Sequence, residues 1–151
     1  EARNRVYVAM TGVFNQFFTT DTADAYGGIE VVDTIAGRSQ GIGLDDATLG
    51  GYPSGLQIDS AGRATTIVNS RTVASFDLNP LTLVDSDVYT SPGFFLPEIL
   101  ADGQGHLLIT ERGDAMGQNA GLVILDLATG GVQGPLDVGG PPNSVAVFER
   151  P

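Results

Sequence analysis

The chain has 151 residues, of which 17% are charged and 21 are glycine, with no cysteine and a formal net charge of −11. That length allows one domain with a sizeable core, and so few charges exclude a disordered polyelectrolyte and a coiled coil. Seven basic residues against eighteen acidic ones exclude nucleic acid as a partner, because phosphate binding needs clustered Lys and Arg, and no apolar run approaches the roughly 20 residues of a membrane span.

Abundant Gly, Thr, Val and Asp point to short strands joined by tight turns, an all-β protein. The first strand is RVYVAMTG (5–12), followed after a long loop by GGIEVVDTIAG (27–37). A hairpin then reads clearly. GLQIDS runs into the turn Asp59-Ser60-Ala61-Gly62 and out through RATTIVNS from Arg63. Asp at the first turn position bonds its own backbone, and Gly near the end supplies a positive φ. TVASFDL (72–78) follows as a third strand, and a weaker fourth lies near 83–90.

The same phrase returns. FLPEILADGQG turns at Asp102-Gly103-Gln104-Gly105 and continues as HLLITERG from His106, then GLVILDL (121–127) and a weak strand near 132–138. A third statement is divided between the termini. PPNSVAVFE (141–149) has the form of the first strand, and residues 5–12 and 27–37 match the second and third. Pro53, Pro97 and Pro142 are separated by 44 and 45 residues, and Asp33, Asp77 and Asp126 by 44 and 49. A period of 40 to 50 residues with four antiparallel strands specifies propeller blades and not a helical solenoid.

The expected organisation is one segment, 1–151, of three blades. The first comprises 5–44 completed by the C-terminal strand 141–149, the second 53–90, and the third 97–138. This strand, D-x-x-G, strand, loop, V-x-D, turn grammar resembles the bacterial β-propeller superfamily, especially propellers of the NHL and YncE-like kind. The resemblance implies an extracellular or periplasmic location and a divided blade closed by the last strand joining the first sheet. Three blades do not close a ring, since propellers use four to eight and every blade needs neighbours on both faces. A six-bladed ring is therefore expected, built either with a second copy or from a longer chain of which these residues are half.

Loops expected on one face of such a disc carry Phe14, Phe17, Phe18, Tyr26, Tyr52, Phe94 and Phe95, most of the 7 Phe and 4 Tyr in the chain. Aromatic residues anchor interfaces, so this face suits a protein or glycan partner; the alternative is that the rings pin long loops onto the blades. Asp21, Asp24, Asp45, Asp46 and Asp114 gather on the same face. Ca²⁺ is the hard cation such oxygens would suit, but no run matches an EF-hand or a nonapeptide calcium repeat, and solvated carboxylates explain them. No cofactor is implied. His106, the one histidine, cannot form a zinc site alone, and Arg63 and Arg5 hold the matching places elsewhere. Arg112-Gly113-Asp114 spells an integrin-type tripeptide, which ordinary turn chemistry accounts for.

The expected function is non-enzymatic, a binding or assembly module that self-associates through blade faces. The alternative is a metal-dependent hydrolase similar to the propeller lactonases, with Glu98, Asn143 and Asp45 as conceivable residues at the channel mouth. No motif for nucleophilic catalysis such as G-x-S-x-G is present.

Overall fold

The computed structural model describes residues 4–13 and 26–148. The protein is all-β, with three antiparallel sheets following one another along the chain. The first sheet holds β1 (Arg5–Thr11), β2 (Gly27–Asp33) and β3 (Arg38–Asp45) in that order. The second holds β4 (Pro53–Ile58), β5 (Arg63–Val68), β6 (Thr72–Leu78) and β7 (Leu81–Thr90) as a simple meander. The third repeats it with β8 (Ile99–Ala101), β9 (His106–Glu111), β10 (Gly121–Asp126) and β11 (Val132–Leu136). One short helix, α1 (Asp46–Leu49), joins the first sheet to the second. No helix among the described residues is long and apolar enough to cross a membrane.

The hairpin turns form as their chemistry dictates. The Asp59 carboxylate accepts from the amides of Ala61 and Arg63, and the Asp102 carboxylate accepts from those of Gln104 and His106. The second and third strands pair in one register in every sheet, because Arg5 faces Asp33, Arg63 faces Asp77 and His106 faces Asp126. Val6, Ala64 and Leu107 are therefore equivalent positions, and so are Val8, Thr66 and Ile109.

Two hydrophobic clusters lie on either side of the second sheet. Ile29, Leu44 and Leu49 pack with Ala64, Val68, Ala74 and Phe76 on one side, joined by Tyr7 and Ala9. Ile67 and Val73 pack with Leu96, Ile99, Leu107, Ile109, Val123 and Leu125 on the other. Successive side chains of a strand point to opposite faces, so β5 contributes Ala64 and Val68 to one cluster and Ile67 to the other. Each such Leu, Ile or Phe contributes roughly 1.5–3 kcal/mol by leaving water.

Polar bonds fasten the layers. The Tyr7 hydroxyl donates to the Leu78 carbonyl at 3.4 Å, between the first and second sheets. Arg63 Nη1 donates to the Leu127 carbonyl at 2.6 Å, between the second and third. A close backbone crossing completes the second junction. A Cβ at Gly93 would run into the Gly113 carbonyl, so only glycine fits there.

The first sheet differs from the expectation in one respect. Among the described residues it has three strands with β1 at its edge, and residues 141–148 form no strand. The segment expected to complete it within the chain lies instead beside the third sheet, where the amide of Val145 donates to Glu98 Oε2 at 2.8 Å. The packing order explains this. β1 lies against β4, and β4 against β8, so a segment beside β8 is at the opposite end of the series from β1.

Candidate interaction surface

The end sheets each turn one face away from the second sheet. In the first sheet Tyr7, Ala9 and Ile29 point inward. By alternation Val6 and Val8, with Val32 paired opposite Val6, point outward. Val6 is 48% exposed and Val8 38%, whereas their equivalents Ala64, Thr66, Leu107 and Ile109 are 0% exposed. In the third sheet Leu107, Ile109, Val123 and Leu125 point inward, leaving Leu108, Leu122 and Ile124 half-buried on the outer face. Each outer face mixes apolar and polar side chains: Glu30 pairs opposite Val8 in the first sheet, and Asp102, His106, Asp126 and Gln133 lie with Leu108 and Ile124 on the third.

The loop aromatics behave individually. Tyr26 is 65% exposed and Phe94 59%, while Tyr52 and Phe95 are half-buried. Tyr52 joins the scaffold, with its hydroxyl 2.8 Å from Ser70 Oγ. The Ser70 carbonyl also accepts from the Leu96 amide at 2.7 Å, which brings Tyr52 beside the strand-free segment carrying Phe94 and Phe95. Phe14, Phe17 and Phe18 lie outside the described residues, as do Asp21 and Asp24.

The three remaining aspartates of the acidic group do local work. Asp45 caps α1, accepting from the Thr48 amide at 2.7 Å, and the Thr48 bonds hold its carboxyl below the usual range. Asp46 is buried, packed on Gly27, where any Cβ would strike its carboxylate. Asp114 closes the Arg-Gly-Asp loop, accepting from the amides of Met116 and Gln118. Among the described residues no three His, Cys, Asp or Glu stand close enough together to hold a metal ion.

His106 Nδ1 lies 2.8 Å from Asp102 Oδ2, with Asp126 opposite across the strand pair. Burial alone would raise the Asp102 carboxyl, but the amides of His106 and Gln104 and the His106 ring outweigh it and hold it below the usual range. Asp126 is lowered in turn by the Thr129 and Ala128 amides. The second sheet repeats the device, with Arg63 Nε 2.9 Å from Asp59 Oδ2 and Asp77 opposite. A basic residue bonded to the aspartate that opens its hairpin turn is thus repeated in both whole sheets, and it gives the lone histidine a structural partner.

Sequence reasoning passed over Glu111. It is 0% exposed, accepting from the Gly113 amide at 2.8 Å and the Tyr89 hydroxyl at 3.2 Å. Burial, then the adjacent carboxylate, pushes the Tyr89 hydroxyl far above the usual phenol range. Glu98 was read as a conceivable channel-mouth residue, and the structure engages its carboxylate with the Val145 amide. Asn143 is exposed two residues before that contact, and Asp45 is bound to its own helix.

No family model matches the chain, and no curated protein matches it.

Proposed function

We propose that the protein is a non-enzymatic β-propeller binding and assembly module. It self-associates through the outer faces of its end sheets and offers its exposed loop aromatics to a protein or glycan partner. One observation carries this reading: Val6 and Val8 are 48% and 38% exposed at positions whose equivalents are fully buried in the other two sheets. A sheet in this architecture buries its apolar face only against a neighbour, and a second copy supplies one at each end. Two chains joined head to tail give six sheets and a closed two-fold ring.

Light scattering on the purified chain tests the assembly. Twice the 15.6 kDa chain mass is the expected result, and a monomer at every concentration overturns it. The partner face is tested with Tyr26→Ala combined with Phe94→Ala on a glycan array and in protein pull-downs. Loss of binding with an unchanged thermal midpoint supports a recognition face; unfolding assigns the rings to the scaffold.

A further inference from the structure

We propose that the groove between the second and third sheets binds a single sugar residue, recognised through its vicinal hydroxyls by Thr65, Ser75, Asp85 and Arg63. The groove shares no residue with the loop aromatics or the outer faces of the end sheets, and it does not depend on the assembly reading above.

The repeat itself marks the place. Two residues into the second strand of each sheet, Tyr7 pairs with Val31, Thr65 with Ser75 and Leu108 with Ile124. Only the second sheet carries two small hydroxyl side chains there. At the junction of the first and second sheets, Tyr7 packs into the hydrophobic cluster and bonds the Leu78 carbonyl, and Val31 is buried. Thr65 shares the face of Ile67 by alternation, and Ile67 packs toward the third sheet. At that second junction the smaller side chains leave a groove of about 350 Å³, a volume typical of small-molecule sites.

The polar groups in this groove are not used by the fold. Thr65 is 3% exposed and lines the groove, yet its hydroxyl makes no hydrogen bond among the described residues. The half-buried Ser75 hydroxyl beside it makes none either. An enclosed hydroxyl costs free energy until it is bonded, and each of these two can both donate and accept. Such a pair favours a ligand whose own groups do the same, which is the property of sugar hydroxyls.

The remaining lining fits the same chemistry. Asp85 pairs with Ser75 and carries the polar row onto β7; its Oδ1 accepts from the Asp87 amide, which leaves Oδ2 as an acceptor. Arg63 has Nε on Asp59 and Nη1 on the Leu127 carbonyl, which leaves Nη2 as a donor. Val84, Val88 and Leu127 add apolar surface for the C–H groups of a ring. One carboxylate and one guanidinium, with no second cation in the lining, favour a neutral ligand over a phosphate or a carboxylate. Apolar walls with a few placed polar groups are the usual make-up of a specific small-molecule site.

Saturation-transfer NMR on the full chain tests the site, with D-glucose, D-galactose, D-mannose and their methyl glycosides as probes. At least one should bind in the millimolar range or tighter. Thr65→Val combined with Ser75→Ala, which restores the apolar pair of the other sheets, should raise its dissociation constant at least about tenfold with the unfolding midpoint kept. Asp85→Asn, at an exposed position, should weaken the same sugar and keeps the test independent of how the buried pair folds. A methyl glycoside bound as well as the free sugar assigns the end residue of a glycan; binding of the free sugar alone assigns a monosaccharide. No probe bound at millimolar concentration overturns the proposal, and so does binding that survives both variants unchanged. Binding abolished by Tyr26→Ala with Phe94→Ala, and not by the groove variants, overturns the groove while leaving the glycan reading of the loop face standing. Groove binding that persists in that loop variant supports the proposal whatever the loop face recognises.

Discussion

β1 and β5 are the same strand of the repeat in two different settings. β5 has a strand on each side and a sheet on each face, and from Ala64 to Val68 it is buried throughout. Among the described residues β1 has one neighbouring strand, and no residue of it is fully buried. Both carry an apolar, β-branched sequence suited to a strand interior. The difference therefore lies in what surrounds the strand and not in its residues.

Mutations at equivalent positions sharpen this contrast. Ile109→Ala in β9 removes a fully buried side chain and should cost about 2–5 kcal/mol in denaturant unfolding. Val8→Ala, at the matching place in β1, should cost about 1 kcal/mol or less in dilute solution, where its exposed side chain has little to lose. Equal losses would break the comparison. Tyr89→Phe should come next, at about 1–3 kcal/mol, because it takes the hydroxyl donor from the buried Glu111 carboxylate. Arg63→Ala removes the bond to the Leu127 carbonyl between the second and third sheets. Its half-exposed side chain limits the expected loss to about 1 kcal/mol.

The smallest effect is acid sensitivity. Asp45, Asp102 and Asp126 have carboxyls lowered by bonds that exist only in the folded chain. A lowered folded pKa means the stabilisation is complete above the unfolded value, about 3.9, and is lost as pH falls through the folded one. Unfolding midpoints should therefore be flat with respect to these groups from pH 5 to 8 and decline below about pH 4. Asp102→Asn should flatten part of that decline.

The repeat made most of the fold legible. The Asp-led turns at 59–62 and 102–105 fix their hairpins through bonds within five residues, and β6 spans the expected 72–78. Local patterns assigned 141–149 as the strand completing the first sheet, but the described part of it, 141–148, forms no strand and Val145 instead meets Glu98, because a strand-like pattern does not by itself fix which sheet a segment meets. α1 was read as loop, since four residues show no helical period, although Asp45 before Thr48 and Gly50 at φ 81° form its caps. Glu111 was invisible for a different reason. A glutamate ending a strand reads as solvated, and its burial is made by Tyr89, 22 residues away. Of the aromatic group, the four described residues lie outside strands, and their exposures separate Tyr26 and Phe94 from Tyr52 and Phe95.

Amide hydrogen exchange followed against protein concentration tests the central claim most directly. Amides of β1 should exchange rapidly in dilute protein and become protected as the end sheets associate at higher concentration. Those of β5 and β9 should be protected throughout. Exchange in β1 that is fast at every concentration, or slow even at the lowest, would contradict self-association through the first sheet.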